Sequence, residues 1–385
     1  AHRQGRLRCR LLDAAAQPLT GRPVELRLRQ VQMRVGSCVA AGTLAREDAD
    51  GERYRGFLRR HCRILVDEND AKWYSAEAEP GVVDWQAADR IADFAAAHTI
   101  PLRGHCLFWD REKWVHDWVR ELDDTALRAA VLERCRAAVR HFRGRVTCWD
   151  VFNEMLDGGY FEERLPGIRR EVFALAHELD PAAALFVNEF GILGGGEKLD
   201  RYCRLLDELL DAGVPVGGIG IQEHACERFE PAYQDGARQT PQEIERLHQV
   251  RLEPERFWAD LDRLAAYGLP IHLTEVSCKQ PDPSVRATGL ECLLRCAMAH
   301  PAVESVLLWG FWEGRHWLDQ AWRPTAAGER VLAVLDEWTT ETTATSDADG
   351  LIAWNGWVGD YDVLVDGRPW QLAVEQGRVA ELRLA

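Results

Sequence analysis

The sequence predicts an α/β protein: a (β/α)8 TIM barrel inserted into a small β-sandwich that the two chain ends build together. Three observations carry this expectation. Short apolar, strand-like runs alternate with amphipathic helical patterns between residues 33 and 338. Polar residues gather where those runs end, which is where such a barrel opens its mouth. Outside that region both ends change to the two-residue alternation of strands.

Taken in order, residues 5–32 place Leu7, Cys9 and Leu11, then Val24, Leu26 and Leu28, at alternate positions around a turn at Gln17-Pro18-Leu19-Thr20-Gly21. Barrel strands are expected at 34–39, 63–67, 101–108, 146–152, 184–188, 218–222, 271–274 and 305–309. Helices with apolar residues at three- and four-residue spacing are expected at 85–98, 124–142, 167–179, 197–212, 253–267 and 284–299. That rhythm fits a closed barrel better than an open sheet, and no G-x-G-x-x-G or phosphate-binding loop is present. The polar run 339–345 reads as a linker. Turns at Asp349-Gly350, Asp366-Gly367 and Gln376-Gly377 then separate strands at 351–354, 361–365, 370–374 and 379–384. Neither end has enough apolar surface to fold alone. Residues 1–32 and 346–385 are therefore assigned to one split sandwich and 33–338 to the barrel.

The 385 residues are 46% apolar and 28% charged, an ordinary globular composition. A net charge of -15 argues against nucleic acid as a partner. No run approaches the roughly 18 to 20 apolar residues of a membrane span. The eleven cysteines lack metal spacing such as C-x2-C. Cys38, Cys106 and Cys148 fall in apolar runs, where a thiol behaves as a small core residue, and Cys292 and Cys296 share a helix face. The chain begins at Ala1 with neither an initiator Met nor a signal peptide, as a processed chain would.

Walking the expected mouth, strand two ends in Glu68-Asn69-Asp70-Ala71-Lys72-Trp73 and strand three carries Arg103-Gly104-His105-Cys106-Leu107-Phe108-Trp109. Strand four gives Trp149-Asp150-Val151-Phe152-Asn153-Glu154, strand five Asn188-Glu189-Phe190, strand six Gln222-Glu223-His224 and strand seven Thr274-Glu275. Strand eight runs from Trp309 through Gly310-Phe311-Trp312-Glu313-Gly314-Arg315-His316 to Trp317. Indole faces match the C–H face of a pyranose, while amides and carboxylates bind its hydroxyls. Glu154 and Glu275, each ending an apolar strand, are the minimum equipment for cleaving a glycosidic bond. No convergent metal set, Ser–His–Asp arrangement or cofactor fingerprint stands out, so neither metal nor cofactor is expected.

These motifs resemble those of glycoside hydrolase family 10, the retaining endo-β-1,4-xylanases, over about residues 33–338. Trp149–Glu154 is similar to W-D-V-V-N-E, Arg103–Trp109 to R-G-H-T-L-V-W, and Glu68–Trp73 to E-N-E-M-K-W. The stretch 218–224 is similar to G-I-G-x-Q-x-H, Thr274-Glu275 to the T-E of the nucleophile, and Trp309–Trp317 to W-G-x-x-D-x-x-x-W with Glu313 for Asp. The resemblance implies Glu154 as general acid/base and Glu275 as nucleophile, roughly 5–5.5 Å apart in a retaining pair. One must then carry a proton while the other is ionised. It implies His105, Gln222 and Trp109 around the sugar that is cut, with His224 and Asn153 on the nucleophile or the 2-hydroxyl. Glu68, Asn69 and Lys72 would hold the next sugar under Trp309 and Trp317, and Phe190 would stand on the leaving-group side, where a tyrosine is common.

The partner so implied is a β-linked polysaccharide or oligosaccharide, xylan favoured, in a secreted or cell-surface setting, with the cytoplasm as the alternative. Asp110 beside Arg111, Phe190 and Glu223 depart from the family pattern, and specificity is expected to vary there. Two other readings remain: a related retaining hydrolase of another β-glycan or of short or decorated xylo-oligosaccharides, and a non-catalytic carbohydrate-binding protein. The chain ends resemble carboxypeptidase-regulatory-like sandwiches in Leu11-Leu12-Asp13, Leu19-Thr20-Gly21 and Gly359-Asp360-Tyr361-Asp362-Val363.

Overall fold

The first alternating run forms β1 (Gln4–Leu12), which turns Leu7, Cys9 and Leu11 inward and Arg6, Arg8 and Arg10 to solvent. It begins a computed structural model that describes residues 3–229, 251–278, 282–313 and 317–384. After β2 (Pro23–Val31) the chain enters the barrel with β3 (Arg34–Val39), β4 (Leu65–Asp67), β5 (Leu102–Gly104) and β6 (Phe108–Trp109). It continues through β7 (Cys148–Asn153), β8 (Ala184–Phe190), β9 (Gly218–Glu223), β10 (Ile271–Val276) and β11 (Val303–Leu308). Successive strands pair in parallel, β11 returns to β3, and β5 and β6 both pair with β7, so the sheet closes. The run expected at 101–108 is thus two pieces, with a cis His105–Cys106 peptide between them.

The six expected helices form at Gln86–Ala97, Asp124–His141, Ile168–Leu179, Glu197–Asp211, Pro254–Ala265 and Pro283–Ala299, joined by Ala49–His61 and Ala326–Glu337. Their starts follow local chemistry: Asp48, Asp123 and Thr325 accept hydrogen bonds from the N–H groups of Gly51, Ala126 and Gly328. Two glycines make room inside the barrel. A Cβ at Gly104 would lie 2.2 Å from the Trp149 ring, and one at Gly220 would lie 2.5 Å from Asn188 Oδ1. Gly220 therefore leaves the Asn188 amide its place among the residues at the strand ends.

Beyond the barrel come β12 (Glu341–Thr345), β13 (Leu351–Trp357), β14 (Gly359–Val365), β15 (Arg368–Val374) and β16 (Val379–Arg383). β1 lies between β13 and β16, while β2 lies between β12 and β14, with β15 beyond. The inner faces of these two sheets share one apolar cluster that includes Leu7, Cys9, Leu26, Trp354, Tyr361 and Leu372. The stretch read as a linker is corrected here: residues 341–345 pair antiparallel with β2 as an edge strand.

These terminal sheets pack at the end of the barrel where its strands begin. The buried Arg3 guanidinium donates to the carbonyls of His300 (3.0 Å) and Pro301 (3.1 Å), just before β11. Trp357 Nε1 donates to Glu337 O (3.1 Å) at the end of the last barrel helix. Among the described residues, no helix is long and apolar enough to cross a membrane.

Candidate functional site

At the opposite end, where the barrel strands finish, β7 and β10 deliver two buried carboxylates. Glu154 follows β7 with φ of 61°, the left-handed region that costs a side-chain-bearing residue about 1–2 kcal/mol. Its N–H donates to Asn188 O (2.9 Å) and its carbonyl accepts from Gly158 N–H (2.8 Å), which hold this turn. Arg111 Nη1 donates to Glu154 Oε2 at 3.1 Å. Glu275 lies in β10 at a register irregularity against both neighbouring strands. Its Oε1 accepts from Asn188 Nδ2 (3.1 Å) and faces His105 Nε2 (3.8 Å), while Oε2 faces His224 Nε2 (3.4 Å). Burial alone would push Glu275 up, but His105, His224 and Lys72 together hold its carboxyl below the usual carboxylate range.

Behind Glu275 stands a chain of buried polar groups. Arg103 Nε donates to Asp150 Oδ2 (3.0 Å), and its Nη2 donates to Oδ1. His105 Nδ1 meets the same Asp150 Oδ2 at 2.9 Å, which aims Nε2 at Glu275. Burial raises Asp150, yet Arg103 and His105 leave it below the usual range. A second chain orders the amides. Asn188 Oδ1 accepts from Thr274 Oγ1 (2.6 Å), so its NH2 faces Glu275 and Asn153 Oδ1 (2.9 Å). Gln222 Nε2 also donates to Asn153 Oδ1 (3.1 Å). With its oxygen doubly engaged, Asn153 is left to offer its own NH2 as a donor. His224 is fixed through Nδ1 to Ser277 Oγ (2.9 Å), and half-buried Trp309 meets His105 and His224 edge-on at 5.5 and 6.4 Å.

Around these groups lie aromatic surfaces. Buried Lys72 sets its Nζ 4.7 Å from the Trp109 ring centroid, and Trp109 stacks on exposed Trp114 at 4.5 Å. Asn69 is exposed, with Oδ1 accepting from Tyr74 (2.6 Å) and Nδ2 donating to Ser75 (2.9 Å), and Glu68 is half-buried beside it. Phe190 is buried with Lys198 Nζ 3.3 Å above its ring, and Arg111 reaches it from the Glu154 side at 6.0 Å. Next to it, buried Glu189 accepts from Leu156 N–H (2.8 Å). Burial, with the nearby charges of Glu154 and Asp157, pushes Glu189 up to about 8 against the opposing pull of Lys198. The constellation presents two carboxyl groups, from the ends of β7 and β10, at one end of the barrel, with Glu275 held low, and two such groups are what double displacement at an acetal carbon requires.

Most of the residues expected at the mouth are thus brought together, and one expectation is corrected. Trp317 has no exposure and packs edge-on against Phe57 at 5.3 Å, so it belongs to the core and does not close over a sugar. Asp110 is buried on Arg169 and accepts Phe161 N–H (3.1 Å). Glu223 is buried on Arg228 (2.6 Å). Neither therefore adds free charge to the mouth. Gly314, Arg315 and His316 lie outside the described residues.

Asp150, Asn188, Arg111 and Trp114 were not singled out as site residues. For Asp150 a signal existed: Arg103 and Asp150 are opposite charges inside apolar runs of adjacent strands, and buried charges pair. Arg111 and Trp114 depend on a loop fold-back with no local signature. Trp317→Ala is expected to cost about 3–5 kcal/mol of stability and to leave KM unchanged. Denaturant unfolding beside kinetics checks this; a raised KM at unchanged stability would return the ring to the mouth.

The sequence profile of Glycosyl hydrolase family 10 matches residues 25–334. Anti-sigma-I factor RsgI6 of Acetivibrio thermocellus is 32% identical over 94% of this chain, and Endo-1,4-beta-xylanase 1 of Arabidopsis thaliana is 32% identical over 88%. The chain spans only 45% and 34% of those proteins. Xylanase 10B of Thermotoga maritima shares the fold, with a TM-score of 0.67 at 24% identity over 80% of this chain and 95% of that one. With a closed barrel, two strand-end glutamates and a profile match over most of its length, the chain belongs to glycosyl hydrolase family 10.

Proposed function

We propose that this chain is a retaining glycoside hydrolase that cuts internal β-1,4-xylosidic bonds, with Glu275 as nucleophile and Glu154 as general acid/base. The observation that carries the reading is the setting of Glu275: a buried carboxyl kept ionisable by two imidazoles and an amide at the end of β10. Glu275 attacks the anomeric carbon while Glu154 passes its proton to the departing glycosidic oxygen. Arg111 engages Oε2 of Glu154, which leaves Oε1 for that proton. Glu154 then takes a proton from water, and the resulting hydroxide releases the sugar from the Glu275 ester. Asn153 and His224 meet the 2-hydroxyl, and Trp109, Lys72 and Trp309 hold sugar rings. The Arabidopsis relative, an endo-1,4-beta-xylanase by name, supports the substrate class. A secreted or cell-surface setting belongs to the same reading, because a polymer of xylose does not cross an intact membrane.

The test is a reducing-sugar and chromatographic assay on xylan, arabinoxylan, mixed-linkage glucan and mannan. A ladder of xylo-oligosaccharides is the expected product. A single small sugar, or turnover of another glycan alone, would replace the endo-xylanase reading. Glu154→Ala is expected to lose roughly 100-fold or more on xylan and far less on aryl xylosides with acidic leaving groups, which need little protonation. Equal losses on both would remove Glu154 from the acid role. A second reading is a non-catalytic carbohydrate-binding unit, and the likeness of 94% of this chain to part of an anti-sigma-I factor would place such a unit in a regulatory protein. Tight xylo-oligosaccharide binding without turnover would favour it.

A further inference from the structure

The loops that follow β9 and β10 are stitched together. Ser277 N–H donates to Glu223 O (2.9 Å), and Cys226 N–H donates to Ser277 O (3.2 Å). This brings Cys226, in the short turn Cys226–Phe229, beside Cys278, two residues past β10. Glu227 adds its carboxylate to the pair. The two sulfurs and one carboxylate oxygen lie within 4.8 Å of one another, all from buried residues. Among the described residues it is the one group of three or more potential ligands that converges in this way. The Pro283–Ala299 helix presses on the turn: a Cβ at Gly289 would stand 2.4 Å from Cys226 O.

We infer that Cys226, Glu227 and Cys278 form a binding site for a thiophilic divalent cation of the zinc class. Two sulfurs and one carboxylate select such an ion over magnesium or calcium, which take oxygen ligands. Ligand atoms around a tetrahedral zinc with Zn–S of about 2.3 Å stand roughly 3.8 Å apart, so side-chain shifts of about an ångström close the site, with water as fourth ligand. On binding, each thiol gives its proton to solvent, two metal–sulfur bonds and one metal–oxygen bond form, and no electron is transferred. Burial, the contact with Cys278 and the negative charge of Glu227 and Glu223 all hold the proton on Cys226. The carboxylate of Glu227 attracts a cation, while Glu223 is already paired with Arg228. The ion would brace the loop that carries His224 and Ser277, and through them one side of Glu275.

The test uses the reduced 385-residue chain carrying Cys292→Ala and Cys296→Ala, which removes the adjacent pair of thiols on the Pro283–Ala299 helix. Cadmium is the probe, followed by its ultraviolet thiolate charge-transfer band and by competition with zinc. One equivalent is expected to saturate the band. Cys226→Ala or Cys278→Ala is expected to abolish it. Glu227→Gln, which keeps both thiols, is expected to weaken binding at least tenfold. No saturable band, a band that survives either cysteine substitution, or a mass two hydrogens below the reduced value before metal is added would overturn the site. Thermal melting of each metal-free variant shows that a lost band reflects lost ligands, and Glu227→Gln decides the matter if a cysteine variant fails to fold.

Discussion

Glu275→Ala is expected to lower kcat on xylo-oligosaccharides by roughly 10⁴–10⁶-fold, the scale on which loss of a covalent nucleophile is felt. KM should change little, since the sugar contacts assigned to Trp109, Lys72, Asn153 and His224 are untouched. The cavity left between His105, His224 and Asn188 suits a small anion. Azide with an activated aryl xyloside should therefore restore turnover and give a glycosyl azide of inverted configuration. Rescue with retained configuration, or a loss below about tenfold, would place the nucleophile elsewhere. In the wild type the acid limb of kcat/KM should fall below the usual carboxylate range, as His105, His224 and Lys72 keep the Glu275 proton off until the pH is low.

The second large effect is expected at Asp150, which never touches the sugar. Asp150→Ala leaves the fully buried Arg103 guanidinium without its counter-charge, and breaking such a pair from one side costs about 3–5 kcal/mol. Asp150→Asn keeps the shape and loses the charge, so it should cost less stability but loosen His105, whose Nδ1 rests on Asp150. Glu275 then faces an Arg103 without its counter-charge and a His105 no longer aimed by Asp150, and the acid limb of kcat/KM shifts from its wild-type position. Denaturant unfolding measures the first effect and a pH–rate profile the second. If Asp150→Ala unfolds at the wild-type midpoint, the pair carries no stability. If Asp150→Asn keeps the wild-type acid limb, the coupling through His105 is absent.

Much of this was readable in the chain because barrel strands leave two marks at once: an apolar run and an abrupt polar end. Glu154, Glu275, His105, Gln222 and His224 were legible for that reason. Asp110 and Glu223 turn onto Arg169 and Arg228, and nearness to mouth residues in sequence does not place them at the mouth. Strand alternation speaks against both, since Glu223 lies between Gln222 and His224, and Asp110 between Trp109 and Arg111. The stretch 341–345 misled differently. An edge strand exposed on much of its surface can be polar throughout, and its threonines suit a strand without marking a buried face. Trp317 stands at the family spacing, but spacing does not say toward which side of the backbone an indole turns.

The two ends of the barrel's chain leave it on the side away from Glu154 and Glu275, and both are absorbed into the same pair of sheets. The terminal sheets and the two strand-end carboxylates thus face opposite ways. Whatever is joined to those sheets, whether a bead, a scaffold or another folded unit, stands behind the barrel, and a long glycan can lie across the open end without meeting it. Immobilisation through the terminal sheets should therefore preserve access for a polymer as well as for a short oligosaccharide.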